Sequence, residues 1–391
     1  MNRTERKALM EKLAASRGGR LLIVYITSTR PNFEIQIGDD VLRLLRDHLD
    51  AGQAAAKIGI DLFIHSNGGS GTVPWRLVSL VREYTKSFAV LVPHKAFSAA
   101  TLIALGADDI LMHRMGCLGP IDPSVANIFN PPHPQNPSQP APISVEDVSA
   151  YFKMVKDEVG ITHEDELVQA LTSLTDKIHP LALGNVQRHH HQSRLMATRL
   201  LKQHMAVGSE HEINKIIDNL KSNLFFHGHP INRNEAKNDL NLKVKIPTEE
   251  IEKLMWDLYI AHEPDFKMNE GFNPIHELDI HPPATPPAPL TPDEIIKQMM
   301  PLLAAGFKLG AITEAQLVNL AAAMVPHVKS STPASPKLHL NGMVGARLES
   351  VYTCDTFLTD MSVERTTVNT PSGPQEAVKQ EVKWQRWAKE T

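Results

Sequence analysis

The stretch His94-Lys95-Ala96-Phe97-Ser98-Ala99-Ala100-Thr101 decides the fold, because an apolar run ends just before it and a helix begins inside it. Residues 88–92 predict a short buried strand, and residues 98–106 predict a helix that is rich in small residues and stops at a glycine. A serine at the start of a buried helix lies where free backbone N–H groups and the positive end of the helix dipole converge, which favours an oxyanion. The alternative role for Ser98 is that of an ordinary N-cap.

A second turn of this kind comes earlier in the chain. The predicted strand 61–64 runs into Ser66-Asn67-Gly68-Gly69-Ser70-Gly71, and residues 75–84 follow with apolar residues at helical spacing. Glycines at such a turn allow positive φ and a close approach of another backbone or a ligand. The turn can therefore direct N–H groups at a developing negative charge. A phosphate-binding loop and a plain tight turn are the alternatives, although the chain has neither G-x-x-x-x-G-K-[ST] nor G-x-G-x-x-G.

Length and composition exclude several classes of protein. The 391 residues carry a net charge of −4, which gives no field for binding a polyanion. The two cysteines, Cys117 and Cys354, lie far apart and form no C-x-x-C, so we expect no structural metal site and a reduced, cytoplasmic protein. The charged N-terminal residues resemble no signal peptide, and no apolar run is long enough to span a membrane. We therefore expect no membrane anchor and no nucleic-acid partner.

Strands alternate with helices along most of the chain, and this order predicts an α/β fold with a parallel sheet. The Pro-rich and Ser/Pro-rich stretches indicate linkers. The predicted organisation is an N-terminal helix (1–19), a main domain (20–266) with a Pro-rich loop (129–142), a Pro-rich linker (267–289), a helical hairpin (290–329), and a linker with a β-rich C-terminal tail (330–391).

The run His189-His190-His191 falls in a long predicted helix, 181–205. Consecutive residues point in different directions around a helix, and no H-x-x-x-H pair results. We interpret the run as a solvated face or a subunit contact in preference to a metal site.

The two glycine- and serine-containing turns, followed by Gly119-Pro120-Ile121-Asp122-Pro123, resemble the Clp/crotonase-fold serine peptidases. The order strand–x-S-x-G-G–helix, strand–x-x-x-S-[AG]-[AG]-T–helix, then G-P-[IV]-D-P is most similar to the serine dehydrogenase proteinase family, relatives of ClpP and of signal peptide peptidase A. The later stretch Phe226-His227-Gly228-His229-Pro230-Ile231 begins an element similar to the family's H-x-[YH]-P-I-x-x-x-E-A-x-x-x-G-L. The element departs from the pattern near its end, where Asp239 or Asn241 stands near the place of the glycine. The resemblance covers roughly residues 20–250 and implies a layered fold of repeated β-β-α units.

The same resemblance implies a serine peptidase that works through an acyl-enzyme and needs no cofactor. Ser98 is then the nucleophile, Asp122 orients the base, and His227 is the base, with His229 as its rival. The oxyanion hole is then expected from the backbone N–H of Gly68, with Gly69 as a second candidate, together with that of Ala99, because both strand-to-helix turns leave N–H groups unpaired. The resemblance also implies a homo-oligomer acting on a protein or peptide substrate, with any unfoldase a separate partner.

Three alternatives stay open at this point. A Ser–Lys dyad of the signal peptide peptidase type would take its lysine from Lys153, Lys156 or Lys177, although each lies in a polar context. A crotonase-like acyl-CoA enzyme would place Glu or Asp where Ser98 stands. An inactive relative would serve as a scaffold or peptide-binding protein whose C-terminal region recruits partners.

Overall fold

A computed structural model of the protein describes residues 1–121, 124–125, 127–133, 136–220, 229–281, 297, 315, 319, 337–370 and 373–390. The chain divides into two compact units. The first takes its residues from Met1–Phe272, Met343–Leu358 and Arg386–Thr391, and the second from Asn273–Gly342 and Thr359–Gln385. Segments that lie far apart in the sequence therefore share one unit.

Helices and strands alternate through the first unit as the sequence predicts. The described helices are α1 (Arg3–Ser16), α2 (Val41–Ala51), α3 (Gln53–Ala56), α4 (Val73–Tyr84), α5 (Ala99–Leu105), α6 (Val145–Lys153), α7 (Glu164–Thr175), α8 (Pro180–Leu201), α9 (Glu210–Asp218), α10 (Arg233–Asn238), α11 (Glu249–Phe266) and α12 (Pro274–Ile280), and a π-helical turn, Met154–Glu158, follows α6. The described strands are β1 (Leu21–Thr27), β2 (Thr29–Arg30), β3 (Phe33–Glu34), β4 (Ile60–His65), β5 (Phe88–Val92), β6 (Lys95–Ala96), β7 (Asp109–Met112), β8 (Cys117–Leu118), β9 (Ser124–Val125), β10 (Pro132–His133), β11 (Asn136–Pro140), β12 (Ile143–Ser144), β13 (Ile231–Asn232), β14 (Val244–Lys245), β15 (Lys337–Ser350), β16 (Cys354–Thr370) and β17 (Gly373–Lys389).

An eight-stranded sheet forms the centre of the fold, in the order β14-β7-β5-β4-β1-β15-β16-β17. Its first five strands run parallel, and β15 pairs with β1 in the antiparallel sense. Every residue of β1, β4 and β5 is buried, which is typical of parallel strands covered by helices on both faces.

Along each strand of the central sheet, successive side chains point to alternate faces of the sheet. In β1, the side chains of Leu21, Ile23 and Tyr25 pack with helices α2, α4, α5 and α8, and the intervening side chains pack with α1 and α11. Because successive side chains of a strand point to opposite faces, one apolar strand supplies both cores. The fold is therefore a three-layer α/β arrangement, and the predicted α/β class is confirmed.

The C-terminal tail is rich in β-structure, as predicted. Its segment Met343–Ser350 extends the central sheet next to β1, with Ile23 paired to Ser350 and Thr27 paired to Ala346. Local sequence patterns do not indicate this pairing, because the two strands lie far apart along the chain.

The second unit contains α12 and the remaining parts of β15, β16 and β17. Glu364 contacts two lysines of this unit, Lys337 at 3.2 Å and Lys379 at 3.5 Å. Helix α12 lies inside the stretch predicted as a linker. It forms because the Asn273 side chain accepts the Ile275 and His276 N–H groups and Pro274 occupies the first turn. The predicted hairpin 290–329 lies outside the described residues, except that positions 297, 315 and 319 are helical.

Candidate active site

Ser98 has a strained backbone at the start of α5. Its φ is 51° and its ψ is −112°, in a region that residues other than glycine rarely occupy. Such a conformation costs on the order of 1–3 kcal/mol and persists only where the surrounding structure enforces it. The side chain makes no capping hydrogen bond, which excludes the ordinary N-cap role. Ser98 therefore sits on a sharp strand-to-helix turn between β6 and α5, with its hydroxyl unused by the helix.

Gly68 allows the two turns to approach each other. A Cβ atom on Gly68 would lie 2.7 Å from Ser98 Cβ and 2.8 Å from the Phe97 carbonyl oxygen. Gly68 also has a φ of 108°, which L side chains rarely adopt. The prediction that a glycine permits close backbone approach here is thus confirmed, and the neighbour it admits is the Ser98 turn.

The backbone amides near Ser98 differ in whether they already have an acceptor. The Gly68 N–H donates to Ser66 Oγ at 2.9 Å, and the Thr27 hydroxyl donates to the same oxygen at 2.7 Å. For the N–H groups of Gly69 and Ala99, no acceptor is found among the residues that the structure describes. Gly69 and Ala99 are therefore the amides that remain available to an oxyanion in this structure.

A small second sheet brings together the Ser98 turn, the Gly119 turn and the segment that contains Ile231, at one end of its strands. Its order is β13-β8-β6, with β6 parallel and β13 antiparallel to β8. Because β6 and β8 run the same way, the Ser98 turn and the Gly119 turn leave the sheet at the same end. Because β13 runs the opposite way, the residues that precede Ile231 lie at that end as well. The sheet thus gathers segments that the sequence separates by more than a hundred positions.

Thr101 links these segments through its buried hydroxyl. Its Oγ1 donates to the carbonyl oxygens of Ala96 and Gly119, at 2.7 and 2.8 Å, and accepts the Gly119 N–H at 3.2 Å. Because one hydroxyl has a single proton, the two carbonyls share it. The sequence places Thr101 in the serine motif but does not indicate this positioning role, since its partners lie outside the helix.

A cleft of about 540 Å³ opens over Ser98. This volume is within the range of pockets that bind small ligands or peptide segments. Among the described residues that line it, Glu34 is the only one with a formal charge. The lining comes from the 34–36 segment, the two motif turns and one face of α8: Glu34, Ile35, Gln36, Asn67, Gly68, Gly69, Ser70, Gly71, Thr72, Phe97, Ser98, Leu102, Gly119, Pro120, Ile121, His189, Gln192 and Ser193.

The structure corrects the interpretation of the histidine run at its first member. His189 lines the cleft, whereas His191 is exposed and pairs with Gln187 Nε2 at 3.0 Å. From the sequence we interpret the run His189-His190-His191 as a solvated face or a subunit contact, because neighbouring helical positions point apart. That same divergence directs one of the three rings into the cleft.

The predicted acid and base, Asp122 and His227, lie outside the described residues. One described contact connects the segments that contain them: the Ile121 N–H, next to Asp122, donates at 3.4 Å to the carbonyl oxygen of Leu220, which precedes the stretch 221–228 that contains His227, and Ile121 lines the cleft. His229, the rival base, is described, and its Nε2 lies 3.0 Å from Glu235 Oε1. His229 is not among the described residues that line the cleft.

None of the three candidate lysines lines the cleft. The side chains of Lys153, Lys156 and Lys177 are all exposed. A base for Ser98 has to come within hydrogen-bond reach of its hydroxyl. These positions therefore give the Ser–Lys alternative no support from the structure.

A second set of Ser, His and Asp side chains occurs elsewhere in the first unit. His48 contacts Ser350 Oγ through Nδ1 at 2.9 Å and Asp355 Oδ2 through Nε2 at 3.1 Å. Burial lowers the pKa of His48, outweighing the nearby Asp355 carboxylate. All three side chains are buried, and Ser350 Oγ also accepts the N–H groups of Tyr352 and Thr353. This set holds α2 to the C-terminal tail and offers no access to a substrate.

Within the described part of the chain, no group of three or more metal-ligating side chains comes together. Among the described helices, none has the length and apolar character needed to cross a membrane. Both cysteines are free thiols, and Cys354 is buried.

Comparisons with known proteins agree with the motifs. Residues 28–159 match the family model of ClpP-like SDH-type serine proteinases, which confirms the resemblance inferred from the sequence. The uncharacterized protein MJ0137 of Methanocaldococcus jannaschii is 29% identical over 226 residues, which are 58% of this chain and 65% of that protein. The uncharacterized protein MJ1495 of the same organism is 32% identical over 91 residues, which are 23% of this chain and 29% of that protein. The matches thus span less than two thirds of either relative.

Proposed function

We propose that the protein is a serine endopeptidase whose nucleophile is Ser98. The observation that carries the proposal is the strained turn at Ser98, with an uncapped hydroxyl, in a cleft beside amide N–H groups that lack an acceptor among the described residues. Strain of this kind is retained at nucleophile turns, where it exposes the side chain above the start of a helix. The match of residues 28–159 to a serine proteinase family supports the same activity.

The reaction begins when Ser98 Oγ attacks the carbonyl carbon of a peptide bond. A base takes the hydroxyl proton, and the carbonyl oxygen becomes an oxyanion that accepts hydrogen bonds from the Ala99 and Gly69 N–H groups. The C–N bond then breaks as the protonated base returns the proton to the leaving amine. Water, deprotonated by the same base, hydrolyses the resulting ester and releases Ser98.

We propose His227 as the base and Asp122 as the group that orients it. The supporting observation is indirect: strand β8, which precedes Asp122, ends and strand β13, which follows His227, begins at the end of the small sheet where the Ser98 turn also leaves it. Gly68 is the second oxyanion candidate from the first turn. Its N–H would first have to exchange its bond to Ser66 Oγ.

The assembly and location remain predictions of the resemblance and of the cysteine pattern. We expect a homo-oligomer in the cytoplasm, with protein or peptide substrates and a separate unfoldase if one is used. A catalytically inactive scaffold is the competing function, and it predicts a folded chain without a reactive serine.

Labelling with a fluorophosphonate probe tests the proposed activity, because the probe reacts only with an activated serine. We expect the wild-type chain to be labelled and Ser98→Ala to be unlabelled. The matched control is Ser70→Ala, which removes another serine of the same cleft and should leave labelling intact.

Further variants separate the possible bases. His227→Ala should reduce the labelling rate by at least about 100-fold if His227 is the general base. Asp122→Asn should reduce the rate as well, whereas Lys177→Ala should not. Labelling that survives in His227→Ala and is lost in a lysine variant would establish the dyad instead. A folded wild-type chain that is never labelled would leave the scaffold function as the better account.

A further inference from the structure

One face of α8 forms a wall of the cleft. Gln192 and Ser193 follow His189 by three and four positions, so the three side chains lie on the same side of the helix. Ser193 is buried, and its hydroxyl donates to the Ile121 carbonyl oxygen at 2.5 Å. This bond attaches the helix face to the Gly119 turn, so His189 is held on a rigid element beside the nucleophile.

The hydrogen bond made by His189 determines which ring nitrogen carries the proton. Nδ1 lies 2.9 Å from the Asn185 carbonyl oxygen, which can only accept, so Nδ1 is the donor. In the neutral ring Nε2 then carries a lone pair. For Nε2, no partner is found among the residues that the structure describes. His189 thus lines the cleft with a ring whose tautomer is set by the helix and whose Nε2 has no partner among the described residues.

A bound polypeptide has a donor that fits this acceptor. The only charge among the described lining residues is the Glu34 carboxylate, so none of those residues offers a cationic group to an anionic substrate. An extended peptide brings a backbone N–H at every residue other than proline, and burying it without an acceptor would weaken binding. Gln192, one turn along, supplies both a donor and an acceptor to the same wall.

We propose that His189 is a substrate-binding residue, whose Nε2 accepts a hydrogen bond from a backbone N–H of the polypeptide bound in the cleft. The proposal rests on the proposed function for its substrate class. It differs from a role as general base, because it places His189 on the substrate backbone and not on the Ser98 hydroxyl.

Binding of fluorescein-labelled casein, measured by fluorescence anisotropy, tests the proposal in the full-length Ser98→Ala background, where cleavage cannot interfere. We expect His189→Leu to raise the dissociation constant about 5- to 10-fold, the range for one hydrogen bond to a neutral acceptor. His189→Gln keeps an acceptor at a similar reach and should restore most of the affinity. His191→Leu, an exposed position on the same helix, is the matched control and should bind as the background does.

Labelling by a small fluorophosphonate in the Ser98-containing chain separates the two roles. His189→Leu should be labelled within about twofold of the wild-type rate, because the probe does not need the peptide contact. Loss of labelling in His189→Leu would make His189 the base and overturn the binding role. Unchanged casein affinity in His189→Leu, or no casein binding to the Ser98→Ala chain, would also overturn it. If the proposed function itself is wrong, the wild-type chain will not be labelled, and this outcome differs from each of those that overturn the binding role.

Discussion

Acidification from pH 7.0 to 5.5 should destabilise the folded chain, because burial lowers the pKa of several histidines, and it lowers those of His65 and His262 well below the ordinary value. His65 lies at the end of β4, where its Nδ1 accepts the Lys95 N–H at 3.2 Å and its Nε2 lies 3.0 Å from Thr29 Oγ1. The His94 ring stacks on it with 5.4 Å between centroids, and the Tyr259 ring meets it edge-on at 5.1 Å. Burial lowers the pKa of His65 well below its ordinary 6.5, and His94 and Lys95 lower it further.

His262, on α11, is buried to the same degree. Its Nδ1 lies 3.3 Å from Arg347 Nη1, and a guanidinium can only donate. Burial lowers the pKa of His262 well below 6.5, with smaller contributions from Arg347, Arg6 and the N-terminal amine. The Glu349 carboxylate, 3.8 Å from Nε2, is already held by Arg6 Nε at 2.9 Å and does not reverse the direction.

The sign and size of the effect follow from these pKa shifts. In the unfolded chain both rings bind a proton below about pH 6.5, whereas the folded chain excludes it. The stability that neutral burial contributes is therefore present above pH 6.5 and is lost as the pH falls towards the depressed folded pKa. Each ring should lower the free energy of unfolding by about 1.3 kcal/mol between pH 7.0 and 5.5, or about 2.5 kcal/mol for both.

Urea unfolding followed by circular dichroism at the two pH values measures this difference. The variant His262→Gln should reduce the pH-dependent loss by about 1.3 kcal/mol, whatever it does to stability at pH 7.0. His211→Gln, at an exposed position of α9, should leave the loss unchanged. Glu252, whose pKa its Arg114 hydrogen bond holds near 2, loses its contribution mainly below pH 5 and does not interfere. A wild-type loss below about 1 kcal/mol, or an equal loss in His262→Gln, would refute the reasoning.

Three further substitutions test contacts that the structure assigns. Gly68→Ala should slow fluorophosphonate labelling at least tenfold, because the new Cβ would lie 2.7 Å from Ser98 Cβ; labelling at the wild-type rate would contradict this. Thr101→Val should lower the free energy of unfolding by about 1–3 kcal/mol in urea titrations, since it removes the hydroxyl that donates to the buried Gly119 carbonyl oxygen, and Thr101→Ser should recover most of that loss. Glu349→Gln should cost about 3–5 kcal/mol, because it leaves the buried Arg6 without its main partner; a cost under 1 kcal/mol would show that the pair is not coupled.

The sequence predicted the parts of the fold whose pattern is local. Strands β4 and β5 contain short apolar runs, and α4 repeats apolar residues at helical spacing. The observed bounds of β4, β5, α4, α5 and α8 lie within a few residues of the predicted ones. Family motifs drew attention to Ser98 and Gly68 because each motif is a short, continuous stretch.

Such local patterns do not predict contacts between distant segments of the chain. The tail segment that extends the central sheet pairs with β1, and Ser350 meets His48 across 302 positions. No periodicity in either stretch specifies its partner, since register between distant strands is set by which faces the whole fold buries. Helix α12 was not predicted for a local reason, because it lies just before the prolines at 282–289, which indicate a linker.

Local sequence patterns predict the α/β class, the mainly apolar strands of the sheet and the turn on which Ser98 lies, because these depend on neighbours in the chain. Contacts between distant segments account for the strain at Ser98, the close approach of Gly68, the bonds of Thr101 to the Gly119 turn and the place of His189 in the cleft lining. The physical reason is that backbone strain and side-chain environment depend on what packs against a residue from elsewhere in the chain. A helix face is polar or apolar in sequence, but whether it meets solvent or a cleft is settled by the elements around it.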